Sequence, residues 1–202
     1  MNGASGLRQF EAIVIGASSG GIEALSVLLP AFRSDLQGTV FVIVHLPRQR
    51  PSLLVDVVAH RCALRVREAQ DKEPIERGTL YVAPPDYHLL IDKGPQIALS
   101  IDEPINFSRP SIDALFESAA DVYGDRLLGI ILSGANEDGA GGLAAVRRRG
   151  GAAFVQDPTE AGCPIMIAAA LKRTPDAQVL NLEKMRQRMA QLGAGPITHV
   201  KD

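Results

Sequence analysis

The stretch Glu11–Leu25, EAIVIGASSGGIEAL, decides how this sequence is interpreted, because a strand signal, a glycine-rich turn and a helix signal follow one another within it. The apolar run at residues 12–17, AIVIGA, predicts a buried strand. After it come Gly-Ala-Ser-Ser-Gly-Gly, residues 16–21, and a pattern, GIEALSVLLPAF, that predicts a helix. Such a turn either cradles the phosphates of a dinucleotide or presents a serine nucleophile, and these two hypotheses predict different enzymes.

The remainder of the chain repeats this alternation of strand and helix signals. Thr39–Pro47 is the most strand-like segment, a helical pattern begins at Pro51, and another helix is predicted from Ser111 to a stop at Gly124. Three later runs, DRLLGIILSGA, AAFVQDP and AQVLNL, predict further strands with helical patterns between them. Alternation of this kind favours a parallel sheet.

The middle of the chain differs from the rest. Leu64–Ile101 contains short strands and turn signals but no long helix, which indicates hairpins at one edge of the sheet. We therefore predict an α/β fold: a doubly wound, mostly parallel sheet with helices on both faces and an antiparallel edge hairpin, in three α/β/α layers. Residues 1–190 are predicted to form a single domain, and residues 191–202 a C-terminal tail.

Composition excludes several classes of protein. Hydrophobic residues make up 46% of the chain, enough for a substantial core, and the net charge of −2 gives no reason to expect nucleic acid as a partner. Two cysteines without a CxxC motif exclude a disulfide framework and argue against a zinc site, and we expect neither a metal nor a cofactor. No apolar run approaches the roughly 20 residues that span a bilayer, and no secretion segment is present, so we predict a cytoplasmic protein.

Polar residues follow three of the predicted strands at the point where each strand ends. Ser18 follows the first strand, His45 the second, and the loop at residues 133–139 follows the run LLGIIL and contains Asp138. The carboxyl ends of parallel strands share one edge, so a hydroxyl, an imidazole and a carboxylate are expected to meet there, as nucleophilic catalysis requires. A helix cap or a buried histidine would also explain each residue alone, and Glu137 competes with Asp138 as the acid.

The dinucleotide alternative lacks most of its usual residues. The turn is similar to Gly-x-x-x-Gly-x-Gly of short-chain dehydrogenases, but Ile22 replaces the third glycine, and no tyrosine is followed four places on by lysine. The second strand ends on His45 where a ribose-binding acid would be expected. The pattern Gly16-x-Ser18-x-Gly20 instead satisfies the Gly-x-Ser-x-Gly elbow, which exposes a serine at the start of a helix.

The longer motifs point to a family. VIGASSGG, VIVHLP, LYVAPPDYHLLI, RPSIDALFESAA, GIILSGANEDGAGGLAAVRRRGG and VQDPTEAGCPIMIAAAL, taken together and in this order, resemble the catalytic domain of the CheB-type chemotaxis methylesterases. The resemblance implies a Ser-His-Asp triad with Ser18 as nucleophile, His45 as base and Asp138, rather than Glu137, as the acid. It also implies hydrolysis of γ-glutamyl methyl esters on chemoreceptors, and deamidation of receptor glutamines.

The same resemblance implies partners and an architecture. The partners would be the methylated cytoplasmic helices of chemoreceptors and a separate receiver or regulatory protein, without nucleic acid or insertion into a membrane. The family commonly has a receiver domain before the catalytic domain, and this sequence begins almost at the first strand. We therefore expect either an excised catalytic domain or a stand-alone relative.

The oxyanion and substrate groove is expected around four residues: the backbone N–H groups of Ser19, Ala135 and Asn136, with Met166 beside them. Here the chain departs from the family at two places. The acid loop of the family is usually similar to Gly-Met-Gly-x-Asp-Gly, whereas residues 134–139 of this chain are Gly-Ala-Asn-Glu-Asp-Gly. A later Met-Pro of the family is replaced by Met166-Ile167. A non-enzymatic alternative follows from these departures: an adaptor that keeps the fold and has lost turnover.

Overall fold

The computed structural model describes residues 10–45 and 54–192 of the chain, which contain nine strands and six α-helices. The strands are β1 (Ala12–Ala17), β2 (Thr39–Val44), β3 (Arg65–Glu68), β4 (Thr79–Val82), β5 (His88–Asp92), β6 (Gln96–Ser100), β7 (Leu127–Ile131), β8 (Ala152–Gln156) and β9 (Gln178–Leu180). Seven of them form one parallel sheet in the order β3-β4-β2-β1-β7-β8-β9, and β5 and β6 form a separate antiparallel pair.

The helices cover both faces of this sheet. They are α1 (Gly21–Leu28), α2 (Leu54–Ala59), α3 (Ile112–Tyr123), α4 (Ala140–Arg148), α5 (Ile165–Arg173) and α6 (Leu182–Ala190). Side chains alternate across β1: Val14 belongs to the apolar cluster that includes α3, α4 and α5, and Ile15 belongs to the cluster that includes α1, α2 and α6. Every residue of β1 and β2 is buried, as expected of strands covered on both faces.

The order of the strands determines where a site forms. The chain leaves β1 for β2 and β4 on one side, and later returns to place β7, β8 and β9 on the other side. The sheet therefore reverses its winding next to β1, and the crevice beyond the carboxyl ends of the strands at this reversal is the usual binding position in such folds.

The predicted fold class is confirmed, with one difference in the middle of the chain. β3 and β4 join the main sheet as parallel strands, whereas β5 and β6 form a hairpin with its own hydrogen bonds. The hairpin packs Leu89, Ile91 and Ile97 into the cluster beneath α3, and so it covers that helix instead of extending the sheet edge.

Most strands and helices are shorter than the sequence patterns predicted. The strand predicted to end at Pro47 ends at Val44, while Pro47 itself and the helix start predicted at Pro51 lie outside the described residues. The helix predicted from Ser111 is confirmed as α3, since the Ser111 side chain caps it by accepting the N–H of Ala114. Residues 193–202 of the predicted tail also lie outside the described residues, and the division at residue 190 stays a prediction.

Candidate active site

The serine turn connects β1 directly to α1. The N–H of Ser18 donates to the carbonyl of Ser133 at 2.9 Å, and the carbonyl of Ser18 accepts the N–H of Gly21 at 2.8 Å. Gly20 has a φ of 78°, and a Cβ at this position would lie 2.7 Å from the Ser133 hydroxyl oxygen. Only glycine fits this close left-handed turn, which leaves Ser18 half-buried at the start of a helix.

His45 lies beside this turn because β1 and β2 are parallel neighbours. Ala17 is paired with Val44, and the N–H of His45 donates to the Ala17 carbonyl at 3.0 Å. Ser18 and His45 are thus the next residues along two adjacent strands, and the imidazole is only 13% exposed. The prediction that both residues lie at the carboxyl edge of the sheet is confirmed.

Asp138 is fully buried, and its carboxylate faces the N-terminus of α3. One oxygen accepts the Ser111 hydroxyl at 2.8 Å and the N–H of Asp113 at 3.2 Å, and the other accepts the N–H of Ile112 at 2.6 Å. Free N–H groups and the positive end of a helix dipole favour a negative charge at this position. The acid is therefore held by a helix that is distant from it in sequence.

His45 and Asp138 form a close pair. The imidazole Nε2 lies 3.0 Å from the Asp138 Oδ2, which is within ion-pair distance. Among residues 10–45 and 54–192, however, no acceptor has the geometry of a hydrogen bond with Nε2. Burial raises the pKa of Asp138, but contact with His45 and the N–H groups of Ile112 and Asp113 more than offset burial, so the pKa is lowered. The carboxylate is ionised at neutral pH and can only accept hydrogen bonds.

The structure brings Ser18 near this pair without a bond between the side chains. Within the described ranges, the Ser18 hydroxyl has no hydrogen-bond partner. The other imidazole nitrogen, Nδ1, instead lies 3.3 Å from the side-chain nitrogen of Asn136. Apo sites often have long or absent contacts that shorten when substrate binds, so the backbone placement is the informative observation.

The four predicted groove residues fall into two groups. Ser19 and Ala135 are exposed and Asn136 is half-buried, and the N–H groups of Ser19 and Ala135 have no acceptor in the part of the chain that the structure describes. Met166 is fully buried, which corrects its predicted place in the groove. It packs beneath the acid loop, because its N–H donates to the Gly134 carbonyl at 3.0 Å and a Cβ on Gly134 would lie 2.5 Å from the Met166 methyl carbon.

Several residues of the site were not predicted from the sequence. Ser111 was identified only as a helix cap, and it also donates to Asp138. Asn106 donates to both Asp138, at 3.3 Å, and Asp113, at 2.9 Å. The Ser133 hydroxyl donates to the carbonyl of Ser19 at 2.6 Å and accepts the N–H of Cys163 at 2.9 Å. Ser133 could have been predicted as a site residue, because it is polar and directly follows the apolar strand run LLGIIL. No local sequence pattern identifies Asn106.

Asp113 is a second carboxylate beside the pair, at the contact between α3 and α4. Its Oδ1 accepts the N–H of Gly142 at 2.6 Å and the N–H of Gly139 at 2.9 Å. Burial, and next the negative charge of Asp138, raise its pKa, although these hydrogen bonds act in the opposite direction.

Neither a metal centre nor a membrane span is found in the described parts of the chain. Over residues 10–45 and 54–192, no three His, Cys, Asp or Glu side chains are grouped so that they could hold a metal ion. Of the helices in these ranges, none is long and apolar enough to cross a bilayer.

The family of the chain follows from comparison with known sequences. The family described as CheB methylesterase matches residues 13–189, which include both sides of the crevice and the whole main sheet apart from Ala12. The chain belongs to the CheB methylesterase family. This confirms the family predicted from the motifs and, with it, the enzyme class, a carboxylic ester hydrolase.

Individual relatives agree with this assignment. A protein of Leptospira interrogans, provisionally named protein-glutamate methylesterase/protein-glutamine glutaminase, is 43% identical over 91% of this chain and 95% of its own length. A protein-glutamate methylesterase/protein-glutamine glutaminase of Symbiobacterium thermophilum is 38% identical over 72% of this chain, which corresponds to 40% of that longer protein. The catalytic domain of Thermotoga maritima CheB methylesterase superposes with a TM-score of 0.83 at 26% identity, over 91% of this chain and 99% of that domain.

These comparisons do not favour the two alternatives that the sequence left open. The family assignment argues against a dehydrogenase, and the space around Gly20 is occupied by Ser133. The relatives carry the names of enzymes, which gives the adaptor hypothesis no support.

Proposed function

We propose that this protein hydrolyses γ-glutamyl methyl esters on the cytoplasmic helices of chemoreceptors, with Ser18, His45 and Asp138 as a catalytic triad that acts through an acyl-enzyme. The observation that carries the proposal is the distance of 3.0 Å between the His45 Nε2 and the buried Asp138 carboxylate. His45 and Ser18 follow adjacent strands of the sheet, so this pair lies next to the serine. An ionised carboxylate that orients an imidazole next to a hydroxyl is the arrangement that activates a serine.

In this mechanism, the imidazole nitrogen that does not face Asp138 takes the proton of Ser18. The Ser18 oxygen attacks the ester carbonyl, and the oxyanion is held by the N–H groups of Ser19 and Ala135, each worth about 3 kcal/mol of barrier. His45 returns the proton to the departing methanol, then takes a proton from water as that water attacks the acyl-enzyme, and gives this proton to the Ser18 oxygen as the acyl bond breaks. The products are methanol and the glutamate side chain, and Asp138 stays ionised throughout.

The names of the relatives support the substrate and a second activity. They pair a protein-glutamate methylesterase with a protein-glutamine glutaminase, which is the same acyl transfer with ammonia as the leaving group. We expect deamidation to be the slower of the two reactions, because an amide nitrogen is a worse leaving group than an alkoxide. With receptor helices as substrate, the site of action would be the cytoplasm, and a separate receiver or regulatory protein would control the enzyme.

Hydrolysis of methylated receptor by Ser18→Ala tests this proposal. We expect kcat/KM to fall by about ten-thousandfold while the far-UV circular dichroism is unchanged, because removal of one hydroxyl ends covalent catalysis. Ser26→Ala is the matched control, since this serine lies on α1 and bonds none of the triad residues: its hydroxyl donates to the Ile22 carbonyl at 2.7 Å and accepts from the Arg61 guanidinium. Wild-type turnover in Ser18→Ala would refute the triad, and a wild-type protein that binds receptor without hydrolysis would favour an adaptor.

A further inference from the structure

The groups that face the two ring nitrogens of His45 assign its tautomer. The Asp138 carboxylate can only accept, so the nitrogen that faces it, Nε2, must carry the proton of the neutral ring. The lone pair of the imidazole is therefore on Nδ1. If His45 is the base for Ser18, then Nδ1 is the atom that receives the serine proton.

This Nδ1 atom already faces a donor. The side-chain nitrogen of Asn136 lies 3.3 Å from Nδ1 and also donates to the Ser108 hydroxyl at 3.3 Å. The opposite end of the amide determines its orientation, because the Asn136 oxygen accepts the N–H of Asp138 at 3.3 Å. A flipped amide would place its NH2 group against that N–H and its oxygen against the Nδ1 lone pair, so two of its contacts would become repulsive.

We propose that the Asn136 side chain caps the base nitrogen of His45 and competes with the Ser18 hydroxyl for it. This inference rests on the triad of the proposed function, and it assigns to the Asn136 side chain a role separate from that of its backbone N–H. Among the described residues, the Ser18 hydroxyl has no hydrogen-bond partner, as expected if the lone pair that would accept its proton is occupied.

The cap is weak enough to be displaced during the reaction. The distance between the Asn136 side-chain nitrogen and Nδ1 is 3.3 Å. Hydrogen bonds donated by N–H groups usually span about 2.7–3.2 Å, so this longer bond is weak. When the amide moves off Nδ1, this nitrogen is free to accept from Ser18. The O–H bond of Ser18 then breaks as its oxygen bonds the ester carbon, and the proton moves to Nδ1.

The rate at which a serine-directed phosphonate labels Ser18 measures this competition. In Asn136→Ala, loss of one hydrogen bond from the resting state should raise the second-order labelling rate and the kcat/KM for a small ester by about three- to tenfold. Ser108→Ala is the matched control, because it removes the other partner of the same amide without touching His45, and both rates should stay within about twofold of the wild type.

Asn136→Asp provides the opposite change at nearly constant shape. A carboxylate accepts at Nδ1 instead of donating, so it stabilises the protonated ring. Labelling should then be slower than in the wild type at neutral pH and should recover at higher pH. Labelling of Asn136→Ala at or below the wild-type rate, with the wild type labelled at Ser18, would overturn the cap and leave the triad intact.

Nitrogen NMR of 15N-histidine protein separates the cap from the triad without any activity. The cap requires the Nε2–H tautomer of His45 in the resting wild type, and a changed Nδ1 resonance in Asn136→Ala. An Nδ1–H tautomer, or an Nδ1 resonance identical in the two proteins, would overturn it. If the wild type is not labelled at Ser18, the proposed function fails, and the NMR result alone decides whether Asn136 contacts Nδ1.

Discussion

Two carboxylates, those of Asp138 and Asp113, lie at the start of α3, and their surroundings differ. Asp138 comes from the loop after β7 and is fully buried against His45 and the first N–H groups of the helix. Asp113 belongs to the helix itself and accepts N–H groups of Gly139 and Gly142 at the start of α4. Asn106 donates to both, so the two acids share one network.

The difference between them is the sign of the pKa shift. The pKa of Asp138 is lowered, because the contact with the His45 imidazole and the backbone donors outweigh burial. The pKa of Asp113 is raised, since burial and the charge of Asp138 outweigh its own donors. A carboxylate close to a helix N-terminus is therefore not by itself an anionic partner for an imidazole; the direction of its pKa shift depends on whether its hydrogen-bond donors and charged neighbours outweigh burial.

Asp138→Asn should have the largest effect. Its NH2 group would face donors from Ser111, Ile112 or Asp113 and could not stabilise a charged imidazole, so we expect the free energy of unfolding to fall by about 3 kcal/mol. Ester hydrolysis by the protein that remains folded should fall by about ten-thousandfold. Urea unfolding and steady-state kinetics measure the two effects separately.

Glu137→Gln is the control for that comparison. Glu137 is the exposed neighbour that competed with Asp138 in the sequence, so its replacement should change the free energy of unfolding by less than about 0.5 kcal/mol and leave hydrolysis unchanged. If Glu137→Gln and Asp138→Asn lowered activity equally, the acid of the triad would be assigned to the wrong residue.

Asp113→Asn should have an intermediate effect that depends on pH. A raised folded pKa means that this group stabilises the fold at low pH and that this contribution is lost as pH rises through the folded pKa. Asp138, with a lowered pKa, contributes above its unfolded value of about 3.9, and its contribution is lost as pH falls through the folded pKa. Asp113 therefore partly compensates for Asp138 on acidification.

At neutral pH, Asp113→Asn should cost less than about 1 kcal/mol, because an amide oxygen still accepts from Gly139 and Gly142. Between neutral pH and about pH 4, its free energy of unfolding should fall more steeply with acid than that of the wild type. Urea unfolding at a series of pH values measures this slope. An equal or shallower slope would show that Asp113 does not take up a proton ahead of the unfolded chain.

Phe107→Gly should have the smallest effect, and it concerns the turn that holds Asn106 between the two acids. Ile105 and Ser108 exchange backbone hydrogen bonds of 3.1 and 2.8 Å, and the central residues Asn106 and Phe107 have φ of 50° and 61°. Positive φ at both positions is the signature of a type I′ turn, for which Asn-Gly is the favoured sequence.

Phe107 is 98% exposed, so removal of the ring forfeits no packing, while relief of the left-handed strain should raise the free energy of unfolding by about 0.5 kcal/mol. Thermal unfolding detects a change of this size. A loss of stability, or a fall in hydrolysis of a small ester, would mean that the ring has a role in holding the Asn106 network.

Sequence patterns predicted the parts of the site that local rules determine. The continuous apolar runs of β1 and β2 predicted buried parallel strands, and parallel strands bring the residues after them to one edge. Ser18 and His45 follow directly from that rule, which needs no knowledge of distant contacts. The acid was harder to assign, since Glu137 and Asp138 differ by one position and only the resemblance to a family separated them.

The remainder depends on contacts that no local pattern encodes. Asn106 and Ser111 reach Asp138 across 32 and 27 positions of sequence, and a serine cap has the same local signature whether or not it also holds an acid. The β5–β6 pair was expected at the sheet edge, because hairpin signals do not say what the hairpin packs against. Burial of Met166 under Gly134 likewise depends on the path of the loop between β8 and α5.

The central claim is that the hydroxyl of Ser18 is the group that attacks the substrate, and a phosphonate adduct mapped by mass spectrometry tests it most directly. We predict an adduct on the peptide that contains Ser18, located on Ser18 and not on Ser19, and no adduct in His45→Ala. An adduct on Ser19 or Ser133, or no adduct on a preparation that hydrolyses the ester, would contradict the account.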